Sequence, residues 1–384
     1  MIDHKRHSSG ARRSWLFAIF LVLPFCASAQ QTTDNRAGDD IELASLIDDE
    51  KRPRLPIIMP YKEPLRSSWA LAIDNDILTP VQRDQDYTYG FNFTYTGSKA
   101  KDVWVSLNKP LSAVDRLLNV DNLSEQGIRS HHIEVGLFGF TPEDILVSEA
   151  NQDDRPYASL IYLSSAREQL DFINNISWKT TLTLGVLGSN IVGELQNGAH
   201  EVLGGKEANG WEHQISDGGE LTARYSIARQ KYLGTLSLGN TEVKSTLQAS
   251  AGYLTEASWS LSIRSGHYHT LWSSFNPELA SYGEKSTYTT SGEAIREHYF
   301  WAGISVKARA YNAFLQGQFR DSDVTYNRSE LNPVLIEGWA GYTFAFGDGY
   351  RISYVLRGHS SEVKQGGGDR ALVWGGLILA KTFP

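Results

Sequence analysis

From Ser67 onward, apolar and polar residues alternate with period two. Trp69, Leu71 and Ile73 interleave with Ser68, Ala70 and Ala72, and Tyr89, Phe91, Phe93 and Tyr95 interleave with Thr88, Gly90, Asn92, Thr94 and Thr96. The alternation returns in Phe300, Ile304 and Val306 against Gly303, Ser305, Lys307 and Arg309. It returns again in Ala340, Tyr342, Phe344 and Phe346, and in Tyr350, Ile352, Tyr354 and Leu356 opposite Arg351, Ser353 and Arg357. Successive side chains of a strand point to opposite faces, so each segment reads as a strand with one apolar and one polar face. Twelve such segments are expected, at about 67–77, 88–97, 131–140, 155–168, 176–188, 221–232, 233–240, 245–256, 299–309, 335–347, 349–362 and 371–383. The window 233–298 is the least regular, and Trp259 to Ile263 offers a thirteenth; the even strand number of bacterial barrels favours twelve. One stretch departs from the pattern. Asn190 to Gly204 carries Gln196 and His200 one helical turn apart and ends on Gly204-Gly205, the mark of a short helix.

A soluble sandwich and a membrane barrel both produce this alternation. A barrel adds aromatic residues toward strand ends and inward-pointing Arg and Lys, and both features are present. Composition points both ways: 34 Gly, 18 Tyr, 15 Phe and 10 Trp beside 2 Met suit a barrel, whereas 41% hydrophobic residues suit a soluble chain. The first 29 residues tip the balance. Lys5, Arg6, Arg12 and Arg13 form a basic region, Trp15 to Phe25 an apolar core, and Ala27-Ser28-Ala29 a small-x-small cleavage site before Gln30. The apolar run is too short to span a bilayer as a helix, and no run of 18 apolar residues follows it. The expected organisation is a signal peptide at 1–29, a disordered acidic and Pro-rich periplasmic arm at 30–66, and a barrel at 67–384. The fold class is all-β, a transmembrane antiparallel β-barrel of twelve strands in the bacterial outer membrane, with a short helix in an extracellular loop. Such a chain would be inserted by the barrel-assembly machinery among outer-membrane lipids, and a monomer is expected.

Removing residues 1–29 takes away Lys5, Arg6, Arg12, Arg13 and Asp3, which lowers the net charge from −8 to −11. An acidic chain without a basic block argues against nucleic-acid binding. Cys26 is the only cysteine, so the exported chain would hold no disulfide.

Strand parity places the polar clusters. With the N-terminal arm in the periplasm, odd strands run outward, and Asn75-Asp76, Thr88, Asp154-Arg155 and the 189–220 insertion meet at the outer rim. Residues 98–130 fit less well, because they join two strands on the periplasmic side, where turns are short. Among the rim clusters, a His at position 200 suits a general base that takes a proton from water; a solvated loop histidine has the same signature. Asp74-Asn75-Asp76, with Asp84 and Asp86, supplies hard oxygen donors of the kind Ca²⁺ takes, without EF-hand spacing, and acidic hairpin loops are commonly just solvated. Thr88 stands opposite Asn75, where its hydroxyl could orient a ligand. Arg155, followed by Pro156-Tyr157, could pair with a phosphate or hold a carboxylate inside the barrel. Trp211, in Gly210-Trp211-x-x-Gln214, could touch substrate or pack the loop to the rim. No Gly-x-Ser-x-Gly elbow, His-Glu-x-x-His pair or phosphate-cradling Gly loop is present.

Taken in order, these motifs resemble the outer-membrane lipid A 3′-O-deacylase family. The matching stretches are Asn75-Asp76, Asp86-Tyr87-Thr88-x-Gly90, Thr141-Pro142-Glu143-Asp144, Asp154-Arg155-Pro156-Tyr157-Ala158 and Gly185-Val186-Leu187-Gly188. Gln196-Asn197-x-x-His200, Gly210-Trp211-x-x-Gln214 and Ser361-Glu362 complete the set, which spans about 75–365. The resemblance implies a twelve-stranded barrel whose site lies at the outer end, between the wall and a loop helix. It also implies a Ca²⁺-dependent hydrolase that releases an ester-linked acyl chain from lipopolysaccharide, with His-activated water as nucleophile. Carried onto this sequence, His200 would be the base and Gln196 its neighbour, and Asn75 and Thr88 would be catalytic. Asp76 and Asp86 would serve the metal, and Arg155, Tyr157 and Trp211 the lipid A substrate. Three departures stand out: Lys206 near a position where an acid is found in some members, Ser159 in place of Gly, and a Phe383-Pro384 end. The alternatives are a non-catalytic porin or adhesin and an outer-membrane phospholipase.

Overall fold

A computed structural model describes residues 67–80, 86–121, 123, 127–236, 240–282, 284 and 296–383. The signal segment 1–29, the arm 30–66 and Asp84 lie outside the described residues.

Alternation becomes a closed antiparallel barrel of twelve strands in which each strand pairs with its sequence neighbours and β1 closes on β12. The strands are β1 (Ser68–Asn75), β2 (Asp86–Thr96), β3 (Gly127–Thr141), β4 (Ala158–Asp171), β5 (Ile176–Leu187) and β6 (Glu220–Leu236). They continue as β7 (Thr241–Gly252), β8 (Leu254–His267), β9 (Glu297–Asn312), β10 (Val334–Phe346), β11 (Tyr350–His359) and β12 (Leu372–Thr382). Ile73, Phe91, Phe93, Val135, Ile304, Val306, Phe344 and Leu377 lie exposed on the outer face of the wall. No helix among the described residues is long and apolar enough to cross a membrane, and the strands supply the apolar belt instead.

The count of twelve holds, but the strands divide differently from the sequence expectation. The segment read at 221–232 and the first residues of that read at 233–240 are one strand, β6, which ends at Leu236 and is bent by a register shift between Tyr232 and Gly234. Trp259 to Ile263 belongs to β8, and most of the segment read at 245–256 lies in β7. The β7–β8 connection is a single residue, Tyr253, after Gly252 at φ 134°. Only glycine adopts that backbone readily, so the chain reverses without the Asn, Asp or Pro cluster that usually marks a turn.

The inner faces carry charge, and the lumen is packed. Arg309 pairs with Glu256 at 2.7 Å, Arg357 with Glu337 at 2.7 Å and Lys244 with Glu278 at 2.9 Å, every one of these side chains less than a tenth exposed. Two connections from the rim that bears Ser68 and Thr382 fill the interior. The β2–β3 connection, too long for an ordinary turn, forms α1 (Asn108–Leu117), whose buried Asp115 pairs with Arg167 and accepts from Tyr225 Oη at 2.8 Å. The β8–β9 connection runs inward with Trp272, Phe275, Leu279 and Tyr282 buried. Tyr282 reaches the opposite rim, where its hydroxyl donates to Glu362 at 2.7 Å and its ring meets Phe140 at 4.8 Å. Buried ion pairs and aromatic contacts occupy the space where a porin keeps water.

Candidate functional site

The site grows from the rim where β1 ends and β2 begins. Parity places Asn75 on the outer face of the wall with Ile73, and Asp74 on the inner face, where Tyr87 Oη approaches its Oδ2 at 3.5 Å. Asn75 then caps a 3-10 turn over Asp76–Leu78 by accepting from Ile77 N at 2.6 Å. Its amide also donates to the Thr88 carbonyl at 2.6 Å, which stitches β1 to β2 beyond their last ladder pair. Asp76 is buried at the start of that turn. Asp86 opens β2 opposite Thr141.

A register shift between Tyr87 and Tyr89 makes Thr88 the extra residue of a bulge. Bulges re-aim side chains, and here the hydroxyl of Thr88 meets that of Thr141 at 2.7 Å, both residues buried. The Thr141 hydroxyl is a part of the site that sequence reasoning left unassigned, although Thr141-Pro142-Glu143-Asp144 was among the recognised stretches. Tyr87 on one side of the bulge packs into the lumen against Trp374 at 5.0 Å. Tyr89 on the other side points outward and donates to the Val192 carbonyl.

Val192 belongs to α2 (Asn190–Leu203), the helix expected in the 189–220 insertion. It lies against the outside of the wall, with Val192, Trp211, Tyr157, Ile145 and Ala208 forming a buried cluster over Tyr89, Leu137 and Ile161. Gly193 permits the contact: a Cβ there would lie 2.6 Å from the Trp211 ring. Gln196, one turn on and buried, accepts from Trp211 Nε1 at 2.8 Å. Its Nε2 has no hydrogen-bond partner among the described residues. The Trp211 ring lies tilted against that of Tyr157 at 5.0 Å, and Tyr157 donates to the Ile145 carbonyl at 3.3 Å. Burial pushes the Tyr157 hydroxyl up to about 12, so it remains a neutral donor at physiological pH.

His200 sits in the last turn of α2. Gly204 ends the helix at φ 75°, Gly205 N returns to the His200 carbonyl at 2.8 Å, and the Lys206 carbonyl contacts His200 Nδ1. A carbonyl only accepts, so Nδ1 carries the proton and neutral His200 presents Nε2 as its basic nitrogen. This is the arrangement a general base requires.

Arg155 lies apart from this group. It is buried on the lumen side, donates to Glu362 Oε2 at 2.7 Å and lies 4.3 Å over the Phe140 ring. Burial raises the Glu362 carboxyl, but Arg155 and Arg309 outweigh it and hold the group well below the usual carboxylate range. Asp154, beside Arg155, pairs with Arg370 at 2.7 Å and accepts from Glu143 N at 2.8 Å. Of the two roles open to Arg155 in the sequence, holding a carboxylate is the one seen in its contacts. Asn75, Thr88 and Thr141 are thus joined by hydrogen bonds at the head of β2, and Gln196, Tyr157 and Trp211 pack together on the outer face of the wall, where α2 also carries His200.

The donors along this face are hard oxygens, the kind Ca²⁺ takes. No group of three or more His, Cys, Asp or Glu converges to hold a metal among the described residues. A cation here would therefore need hydroxyl and carbonyl oxygens beside a carboxylate.

A family model described as "Outer membrane protein LpxR" matches residues 17–383. The chain belongs to the LpxR family. This is the lipid A 3′-O-deacylase family that the ordered motifs resemble, and its barrels reside in the outer membrane. The solved structure of LpxR from Salmonella typhimurium is similar at 16% identity and a TM-score of 0.62, over 82% of this chain and 100% of that one. Barrels of other kinds match more loosely. The KdgM porin gives 6% identity and a TM-score of 0.33 over 83% of this chain and 99% of that one. The translocator domain of autotransporter NalP from Neisseria meningitidis gives 8% identity and 0.36 over 95% and 98%. No curated protein sequence matches. Among these folds the LpxR barrel is the one whose likeness supports an argument about architecture.

Proposed function

We propose that this outer-membrane barrel is a lipid A 3′-O-deacylase in which His200 activates the water that attacks the ester. The observation that carries the reading is the fixed tautomer: the Lys206 carbonyl holds Nδ1–H and leaves Nε2 free to take a proton. Water attacks the ester carbonyl, its proton passes to Nε2, and the imidazolium returns a proton to the departing sugar oxygen. The Gln196 Nε2 donor, buried and uncommitted, is suited to the negative charge that develops on the carbonyl oxygen. Thr88 and Thr141 offer hydroxyls to place the water, and Asn75 fixes Thr88 through its backbone. Trp211 and Tyr157 give an apolar flank for an acyl chain, and Arg155 stiffens the rim from the lumen side.

Calcium belongs to the same proposal. Asp76, with Asp86 at the head of β2 and the neighbouring hydroxyl and carbonyl oxygens, would hold it. When bound it supplies positive charge that polarises the ester.

Mass spectrometry of lipid A from cells expressing the protein tests the reaction. Loss of one 3′-linked acyl mass is expected, with reversal by a chelator and recovery on adding Ca²⁺. Unchanged lipid A would sink the reading, and release of fatty acid from glycerophospholipid alone would replace it with a phospholipase. A porin is disfavoured by the filled lumen, and the absence of single-channel conductance in planar bilayers is the matching expectation.

A further inference from the structure

We infer that α2 is a membrane-contacting element, whose stripe of Ile191, Leu195 and Val202 lies in the acyl-chain layer of the leaflet beside the Asn75 rim. The inference rests on the chain being an outer-membrane barrel and not on the deacylase chemistry.

Three observations carry it. First, the stripe is exposed and one-sided. Ile191 is 54%, Leu195 50% and Val202 83% exposed. At 100° per residue they fall within an arc of about 40°, with Val192 and Gln196 turned roughly 100° away toward the wall. Glu194 and Glu201 lie exposed on the stripe's other flank and give the helix a polar side for headgroups and water. Second, α2 and its Trp211 turn cover part of the lipid-facing belt itself. Ile73, Phe91, Leu137, Ile161, Val186 and Leu221 are successive partners across β1 to β6, all on the outer face. Leu137 and Ile161 in the middle of that rung lie under the Val192–Trp211 cluster. Ile73 and Phe91 on one side remain exposed, as does Leu221 on the other, at 81%. Third, a helix that displaces lipid from two wall positions and turns its own apolar stripe outward restores a continuous apolar surface. In water the same stripe would be an unpaid exposure of three large side chains.

The consequence concerns access. A site between such a helix and the wall opens toward the hydrocarbon, so a chain still embedded in the bilayer can enter sideways.

Cys26, the chain's only cysteine, falls in the expected signal segment 1–29, whose removal would leave each introduced cysteine as the single labelling site. Leu195→Cys and Val202→Cys, reconstituted in vesicles that contain lipopolysaccharide, are compared with Ile304→Cys in the belt and Glu207→Cys in the loop. The expected result is relaxation by oxygen, which concentrates in lipid, close to that of Ile304→Cys and well above that of Glu207→Cys. Preferential relaxation by a water-soluble nickel chelate at both helix positions would overturn the inference. So would dipolar broadening between labels, which would assign the stripe to a second copy of the chain. Proper assembly of each variant is checked by its heat-modifiable migration. Because label depth is read without substrate, loss of the deacylase reading and loss of this one are separate outcomes.

Discussion

His200 Nδ1 donates to the main-chain carbonyl of Lys206, six residues on, across the turn that ends α2. That turn exists because Gly204 adopts φ 75° and Gly205 lies against the imidazole, where an added Cβ would stand 3.0 Å from Cγ. The position that is acidic in some family members falls near Lys206, and here it is the backbone of that residue which orients the His200 ring.

The proposed role of His200 as base has a direct consequence. His200→Ala is expected to lower deacylation by about 10²- to 10⁴-fold, the usual worth of a positioned general base, with heat-modifiable migration unchanged. Gly205→Ala should lower the rate by less, because it crowds the ring without removing it. Full activity in His200→Ala, measured as lipid A mass loss, would remove His200 from the reaction.

The seat of α2 on Trp211 yields a paired prediction. Gly193 and Gly198 both lie in the helix, and Gly→Ala in a helix interior ordinarily adds about 0.5–1 kcal/mol. A Cβ at 198 meets nothing within 4 Å, so Gly198→Ala is expected to stabilise the loop. A Cβ at 193 lies 2.6 Å from Trp211, so Gly193→Ala should cost about 1–3 kcal/mol by overpacking despite the better propensity. Protease resistance of the 188–219 loop and Trp fluorescence would report both, and equal behaviour of the two variants would refute the packing argument.

How much of this was legible follows from range. The wall was legible because Ile73, Phe91 and Phe344 obey a period that needs only neighbouring residues. The α2 helix was legible for the same reason, from Gln196 to Gly204. The division of β7 from β8 was not, because the Tyr253 reversal depends on one glycine backbone and no turn cluster. Nor was the lumen filling: Trp272, Phe275 and Leu279 bury an irregular loop without periodicity, and the 98–130 connection showed its unusual length in the sequence but not the course that takes α1 into the lumen. The Arg155–Glu362 pair joins residues 207 apart, and nothing local in either segment names its partner. The outward aim of Thr88 comes from a bulge, which moves one residue out of the period that parity assumes.

That Arg155–Glu362 pair carries a stability prediction. Both residues are buried, and Glu362 also accepts from Tyr282 Oη at 2.7 Å and Asn312 Nδ2 at 2.9 Å. Arg155→Ala should cost about 3–5 kcal/mol, because it leaves a buried charge with one cation fewer. Arg155→Met combined with Glu362→Gln should cost much less. Since the folded Glu362 carboxyl titrates below its unfolded value, its contribution is complete above the unfolded pKa and is lost as pH falls through the folded one. Urea midpoints of wild type and Glu362→Gln are therefore expected to converge in strong acid. A constant gap between them would contradict the assignment.

The opposite pH dependence is expected where the 188–219 loop meets the 313–333 loop. His213 Nδ1 contacts Asp323 Oδ2 at 2.5 Å, and that hydrogen bond, outweighing slight burial and joined by the charges of Asp323 and Glu212, raises the imidazole above its ordinary value. A raised histidine stabilises fully below its unfolded pKa, and the contribution fades as pH rises through the folded one. The loops should therefore loosen from near-neutral to alkaline pH, while the Ser216–Ser322 bond at 2.9 Å persists and keeps them from separating. In an NMR titration His213 should show a midpoint above 6.5 that falls in Asp323→Asn. The same substitution should remove the alkaline increase in cleavage of the 188–219 loop by an added protease. If the midpoint stays where it was in Asp323→Asn, the carboxylate is not what holds the proton, and the loop contact carries no pH dependence of its own.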